Sequence, residues 1–423
     1  MKIILVNYRY FIVGGVERYF FNIKEILEKK GHEIIPFSIK NSRNFPTDYE
    51  SYFLDSGGDT VYFSQEKKGI RMIVRLFSRM FYSFEAKCKL KKLLLDTQPD
   101  IIYIMQYHNK ISPSIIDAAK KMKLPVVHRI SDFQYMCPNA LFYNDKKGLC
   151  EDCLNGSYFN CIKYKCVLNS FIYSLLKLSA KIVHELLRVP KKIDAFIVPS
   201  AFTLNRLNKY GISLKRLHHI PTFFPVKNET SVIEYKPFML FIGRIEKAKG
   251  IMTLVKAFVN TDYNLKIIGD SMDRYDDQIK LFLRGEKHNI DFLGRMDFTD
   301  IMPYLATCLC VIVPSEWYDN SPNVILESFA FKKAVIATNI GSLPETVENN
   351  VTGLTFNYAS VESLKEKIEY LFNDPEEAQR MGESAYLHLI NTHSAEKHYV
   401  SLMNVFNSLS QSSSELHDPS APN

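Results

Sequence analysis

Short runs of Ile, Val, Leu and Phe recur along the chain with room for about one helix between neighbours, and this rhythm restricts the fold more than any other feature. Strands buried on both faces read as continuous apolar runs, and parallel strands need a helical crossover between them. In the first half the runs are "KIILVN" (2–7), "HEIIPFSI", "DIIYIM" (100–105), "PVVH" (125–128) and "AFIVPS" (195–200), with helical patterns near 15–30 and 112–122. The second half repeats the scheme with "FMLFIGR" (238–244), "NLKIIGD" (264–270), "IDFLGR", "LCVIVPS" and "AVIATN" (334–339), with helices near 249–259 and 274–287. Each half therefore reads as a doubly wound, Rossmann-like α/β domain. A chain of 423 residues is also too long for one ordinary core.

The expected organisation is an N-terminal domain over 1–220 with a cysteine-rich insertion at 137–166, and a C-terminal domain over 235–395. A linker falls at about 218–236, a final helix at 396–410 and a disordered tail at 411–423. Sheets of this kind bind ligands beyond the carboxyl ends of their strands, so two facing sheets place a site in the cleft between them.

The stretch "PSEWYDNSPNVILESFAFKKAVIATNIGSLPE" carries the strongest chemical pattern. Ser321 suits a helix N-cap and Pro322 the first helical position, where a missing N–H costs nothing. The free amides of Asn323 and Val324 then sit at the positive end of a helix and suit a phosphate. Glu327 lies one turn further on, where its carboxylate can accept hydrogen bonds from the vicinal hydroxyls of a ribose. Asp319, before the cap, can grip a hexose. In "GRIEKAKG", Arg244 and Lys249 follow a strand and can neutralise a diphosphate. Read from spacing alone, the two acids can equally well complement a helix dipole, and the basic pair can be an ordinary solvated loop.

The net charge of +7 is unevenly spread. Residues 1–230 hold 36 Lys and Arg against 20 Asp and Glu, and the remainder hold 17 against 26. The first half is thus suited to an anionic partner. Segments 69–95 and 169–192 mix large apolar side chains with Lys and Arg at helical intervals, which fits either helices lying on an anionic membrane or helices packed on a core. No window of 18 residues is apolar enough to span a bilayer. The opening "MKIILVN" lacks a signal-peptide pattern, so a cytoplasmic location is expected, peripheral on the inner face of the membrane.

Taken together, "GGVER", "GRIEKAKG", "FLGR", "VIVPS" and "PNVILESFAFKKAVIATNIGSLPETVENNVTGLTF" resemble, in order, the retaining glycosyltransferases of family 4, which have the GT-B fold. The resemblance implies two Rossmann-like domains facing across a cleft and transfer of a hexosyl group from a nucleotide-sugar to a lipid-linked or glycan acceptor, such as a growing surface polysaccharide. It further implies retention at the anomeric carbon without a divalent cation. Glu327 corresponds to the ribose contact, Asn323 and Val324 to backbone groups holding the donor, and Gly15 to a donor loop facing the phosphates. His128 corresponds to a cleft histidine, for which His108 is a rival. Two departures stand out: the first acid is Asp319 in place of the usual Glu, and Ser342 occupies a position often filled by Gly.

Five of the eight cysteines fall between 137 and 166. Cys150, Cys153, Cys161 and Cys166 have the makings of a structural zinc knuckle, with free thiols or disulfides as the alternatives. A non-catalytic sugar-nucleotide-binding scaffold and a nucleic-acid-binding protein are the competing functions. The chain shows no aromatic stacking platform or recognition helix, so no nucleic-acid partner is expected.

Overall fold

The computed structural model describes residues 1–56, 70–226, 235–271 and 274–415, with the side chains of 70–73 and 412–415 outside the description. The N-terminal half contains β1 (Lys2–Val6), α1 (Gly15–Lys29), β2 (Glu33–Phe37), α2 (Ile70–Phe81), α3 (Phe84–Thr97), β3 (Ile101–Ile104), α4 (Ser114–Lys121) and β4 (Val126–Arg129). After these come the hairpin β5 (Tyr143–Asn144) and β6 (Gly148–Leu149), α5 (Asp152–Asn155), α6 (Asn160–Lys163), α7 (Phe171–Leu186), β7 (Ala195–Val198), α8 (Ala201–Tyr210) and β8 (Leu217–His219). The C-terminal half contains β9 (Phe238–Ile242), α9 (Ile251–Phe258), β10 (Asn264–Ile268), α10 (Tyr275–Leu283), β11 (Asn289–Gly294), α11 (Phe298–Thr307), β12 (Cys310–Val313) and α12 (Asn323–Ala330). It closes with β13 (Ala334–Thr338), α13 (Leu343–Thr346), β14 (Gly353–Phe356), α14 (Val361–Asn373), α15 (Pro375–Thr392) and α16 (Ala395–Glu415).

The strands form two six-stranded sheets, ordered β2-β1-β3-β4-β7-β8 and β11-β10-β9-β12-β13-β14. Every pairing within them is parallel. In each sheet the strand order reverses beside the first strand, between β1 and β3 and between β9 and β12. Those switch points are where loops diverge and leave a crevice. The expected α/β class with two doubly wound domains is what the chain adopts.

Burial follows the pattern that makes parallel strands apolar. In β1, Ile4 and Val6 pack into one core with Ile35, Ile102 and Phe196, while Ile3 and Leu5 face the other side with Tyr19, Phe20 and Ile23 of α1. That second core also contains Leu402, Met403 and Phe406, so α16 returns to cover the N-terminal sheet after the chain has completed the other domain. Tyr19 Oη and His398 Nε2 lie 2.8 Å apart, and His398 Nδ1 is 2.7 Å from the Pro221 carbonyl.

Two expectations need adjustment. Leu217–His219, at the start of the stretch read as linker, pairs in parallel with β7 as an edge strand. Helix α16 extends through Glu415, so residues 411–415 are helical where a disordered tail was expected. Residues 227–234 of that linker and 416–423 of the tail lie outside the described residues.

Candidate active site

A cavity of about 410 Å³ opens between the domains at both switch points. Gly14, Gly15 and Arg18 enter from β1–α1, Arg129 from the end of β4, and Arg244 and Lys249 from the loop after β9. The segment after β12 supplies Trp317, Asp319, Ser321, Pro322, Asn323, Val324 and Glu327. Apart from His128, its rival His108, Ser342 and the cysteines, every residue singled out from the sequence for the site thus lines one cavity.

Local chemistry explains the placement. Glu17 is buried and closes the β1–α1 turn from inside, accepting the Gly14 N–H at 3.0 Å and Arg9 Nη1 at 3.2 Å. The Gly15 carbonyl accepts Asn323 Nδ2 across the cleft at 3.2 Å. A Cβ on Gly15 would stand 3.3 Å from that same nitrogen, so a larger residue here would need the Asn323 side chain to give by a few tenths of an ångström. In the opposite domain the loop bearing Arg244 and Lys249 is pinned by Gly250. Its φ is +68°, and a Cβ there would come within 1.8 Å of the Pro314 oxygen.

The helix α12 begins one residue later than expected. Pro322 is the N-cap in an extended conformation, with no side-chain capping bond, and Asn323 opens the helix. Ser321 therefore lines the cavity without capping. Asn323 and Val324 keep first-turn positions, whose amides have no partner within a helix.

Glu327 is 2 % exposed, and Arg18 Nη1 bonds its carboxylate from the other domain. Burial raises the Glu327 carboxyl pKa above its ordinary value, and the Arg18 charge opposes that rise. Arg18 also lies 5.1 Å from the centre of the Phe298 ring. Asp319 is held on its own side of the cleft, bonded by Lys249 Nζ at 2.7 and 3.0 Å and by the Ser315 hydroxyl. Ser342, which departs from the usual Gly, donates its hydroxyl to the Asp319 carbonyl at 2.6 Å and so fixes that residue from behind. Arg244 pairs with Glu246 at 2.9 Å and, with Lys249, flanks Trp317 at 5.8 and 5.0 Å from the ring. The Trp317 indole N–H is buried without a partner among the described residues.

His128 does not enter this cavity. It sits inside β4, 1 % exposed, with Nδ1 2.7 Å from Tyr135 Oη, and burial lowers its pKa to about 3. Successive strand residues face opposite sides, and it is Arg129 that reaches the cleft. Its guanidinium lies 3.8 Å from the Tyr19 ring centre and donates to Thr222 Oγ1 at 2.7 Å and Ser131 Oγ at 3.2 Å. Arg18, Arg129 and Trp317 were not singled out from the sequence. The Arg of "GGVER" and the Arg beside His128 were available signals, but nothing local shows that they converge.

The zinc expectation is also corrected. Cys150, Cys153, Cys161 and Cys166 fold near one another with Cys137, yet no group of three or more His, Cys, Asp or Glu among the described residues is placed to hold a metal ion. Cys153 and Cys161 are buried within α5 and α6, and burial pushes the Cys153 thiol up to about 12. All eight cysteines are unpaired.

Across the cleft, Glu345 before β14 accepts the Ala201 and Phe202 amides of α8 at 2.8 and 2.6 Å. Asn320 Nδ2 donates to the Ile130 carbonyl at 2.8 Å, and Lys247 Nζ to that of Asp145 at 2.7 Å.

Two facing Rossmann-like domains with a cationic crevice at paired switch points define a protein of the GT-B class, and a solved structure of that shape, Anabaena HepE in complex with UDP and glucose, superposes with a TM-score of 0.64. That match covers 96 % of this chain and all of the other at 13 % identity, so it bears on the fold alone. Residues 13–227 match the description Glycosyltransferase Family 4 and residues 225–388 match Glycosyl transferases group 1. The chain belongs to glycosyltransferase family 4. An uncharacterized glycosyltransferase of Methanocaldococcus jannaschii is 33 % identical over 35 % of this chain and 41 % of its own length. An uncharacterized 41.2 kDa protein in the cps region of Klebsiella pneumoniae is 26 % identical over 63 % of this chain and 75 % of its own.

Proposed function

We propose that the protein transfers a hexosyl group from a nucleoside diphosphate sugar to a lipid-linked or glycan acceptor in surface polysaccharide synthesis, with retention of configuration. The observation that carries this reading is the buried Glu327 carboxylate beside the open end of α12, facing Arg18, Arg129, Arg244 and Lys249 in one cavity. Glu327 is suited to the ribose hydroxyls, the Asn323 and Val324 amides to the diphosphate, and the four cations to the charge that grows as the sugar departs. Family membership supports the donor class, and HepE, which shares the fold, is solved with UDP and glucose.

In the proposed reaction the bond between the anomeric carbon and the diphosphate oxygen breaks while an acceptor oxygen attacks on the same face. The acceptor proton passes to the departing phosphate. The side-chain cations supply the positive charge such a step needs, so no divalent ion is required. Unpaired cysteines suit a reducing cytoplasm. No helix among the described residues is long and apolar enough to cross a membrane, and the basic first half suits peripheral contact with an anionic bilayer.

One observation favours binding without turnover: Asp319, expected to grip the sugar, is already bonded to Lys249 and Ser315. Incubation with a panel of nucleotide-sugars and lipid-linked acceptors separates the two readings. Release of nucleoside diphosphate with a glycosylated product supports transfer. Tight nucleotide binding with no product supports the scaffold.

A further inference from the structure

A second cavity, of about 450 Å³, lies in the N-terminal domain between α2, α7 and the segments that follow β3 and β4. It shares Asp132 and Ala140 with the cleft already described, so the two spaces meet at the Asp132 carboxylate. Asp132 is held in place by the Gln134 amide, which donates to Oδ1 at 3.0 Å.

The inner end of this cavity is polar and unsatisfied. Among the described residues, Gln106 Oε1 and His108 Nδ1 are buried there with no hydrogen-bond partner. Buried polar atoms are normally paired, so each orphan marks a place for a ligand's polar group. On the α7 wall, Lys181 is committed to Glu185 and Tyr210. Lys177, one turn earlier, makes no ion pair among the described residues, and burial lowers its ammonium pKa to about 8. Its charge, set beside Asp132 but in no direct ion pair, is available to an anionic ligand.

The outer end is apolar. Leu76, Leu168, Tyr173 and Leu176 line it. Beyond it, Val74 and Phe77 on α2 and Phe171, Ile172 and Leu175 on α7 are exposed, Ile172 by 73 % and Leu168 by 76 %. The described parts of segments 69–95 and 169–192, read separately from the sequence as amphipathic, contribute to one mouth through Leu76 of α2 and Tyr173 and Leu176 of α7. Their outward apolar side chains are not spent on the domain core.

We propose that this cavity receives the acceptor as an amphiphile. Its hydroxyl-bearing end lies at Asp132 beside the donor, its phosphate ester on Lys177, and its aliphatic chain leaves between α2 and α7 along the exposed apolar rim. The inference rests on the glycosyl-transfer reading but adds a place and a chemistry for the second substrate.

The test is calorimetric titration of the full chain, saturated with UDP, using dodecyl phosphate below its micellar concentration. Dodecyl maltoside and inorganic phosphate serve as the chain without an anion and the anion without a chain. Dodecyl phosphate should bind at least tenfold tighter than either. Lys177→Met should weaken it at least tenfold, Lys177→Arg should retain it, and paired Leu168→Ser and Ile172→Ser changes should weaken it several-fold. UDP affinity should stay unchanged throughout. If Lys177→Met does not fold, Gln106→Leu, from the opposite wall, takes its place with the same expected loss. Equal binding of inorganic phosphate, equal binding of the maltoside, or indifference to the Lys177 and Gln106 changes overturns the proposal. Failure of the wild-type chain to bind UDP counts against the nucleotide-sugar reading; UDP binding without dodecyl phosphate binding counts against this inference alone.

Discussion

Replacing Glu327 with Gln removes one charge from the cleft and almost no volume. In the ligand-free chain the carboxylate is bonded to Arg18 and is 2 % exposed. A hydrogen bond to a charged group is worth about 1.5–3 kcal/mol, and the ribose hydroxyls must displace or share Arg18 to gain it. A net loss of about 2 kcal/mol, or about 30-fold in the UDP dissociation constant, is expected. Isothermal titration at pH 7.5 measures it directly. The sign of the pH effect provides a second reading. Burial raises the folded-state pKa of Glu327, so its contribution to stability is full below the unfolded value and is lost as pH rises through the folded one. Nucleotide binding runs the other way, because the hydroxyls need the ionised acceptor. UDP affinity should therefore climb with pH through the raised pKa in the wild-type protein and be flat in Glu327→Gln. Arg18 keeps 32 % side-chain exposure and can rehydrate, so the melting temperature should change little. A folded variant whose UDP affinity lies within threefold of wild type, with the same pH profile, would refute the ribose assignment.

Other expectations follow from the same geometry. Burial raises Asp132 to about 6 from 3.8, so its stabilising contribution is present below pH 3.8 and lost as pH rises through 6. The nearby Lys177 charge and the Gln134 amide oppose that shift. Asp132→Asn should thus stabilise the chain by up to about 3 kcal/mol at pH 8 and not at pH 3.5, read by thermal melts, while impairing acceptor use. Gly341 has φ +60°, and a Cβ would meet the Tyr318 ring at 2.9 Å; Gly341→Ala should cost about 1–3 kcal/mol in denaturant unfolding. Ser342→Ala removes the hydroxyl bond to the Asp319 carbonyl and should cost about 1–2 kcal/mol, with weaker donor binding in the same titration. Arg129→Lys keeps the charge but cannot span both Thr222 and Ser131, so UDP affinity should fall about tenfold.

The strands were legible because parallel sheets bury both faces, which leaves uninterrupted apolar runs such as "KIILV" and "CVIV". The C-terminal half of the site was legible because one contiguous segment carries Asp319 through Glu327. What escaped was set by parity and by convergence. Reading His128 as the residue that leaves β4 toward the cleft chose one side of the strand, and the cleft is served by its neighbour Arg129. Arg18 and Glu327 are 309 residues apart, and no local pattern announces that they meet. The cysteine spacing was a real signal of proximity, but spacing does not specify whether thiols converge on one point or pack separately into short helices.

The carboxylate of Glu345 accepts the first two amides of α8 in the opposite domain, beside the Ser200 cap of that helix. Any separation of the two domains must leave those amides and that acid to water together. Admission of fresh substrate and escape of spent product through the crevice then draw on the same two bonds.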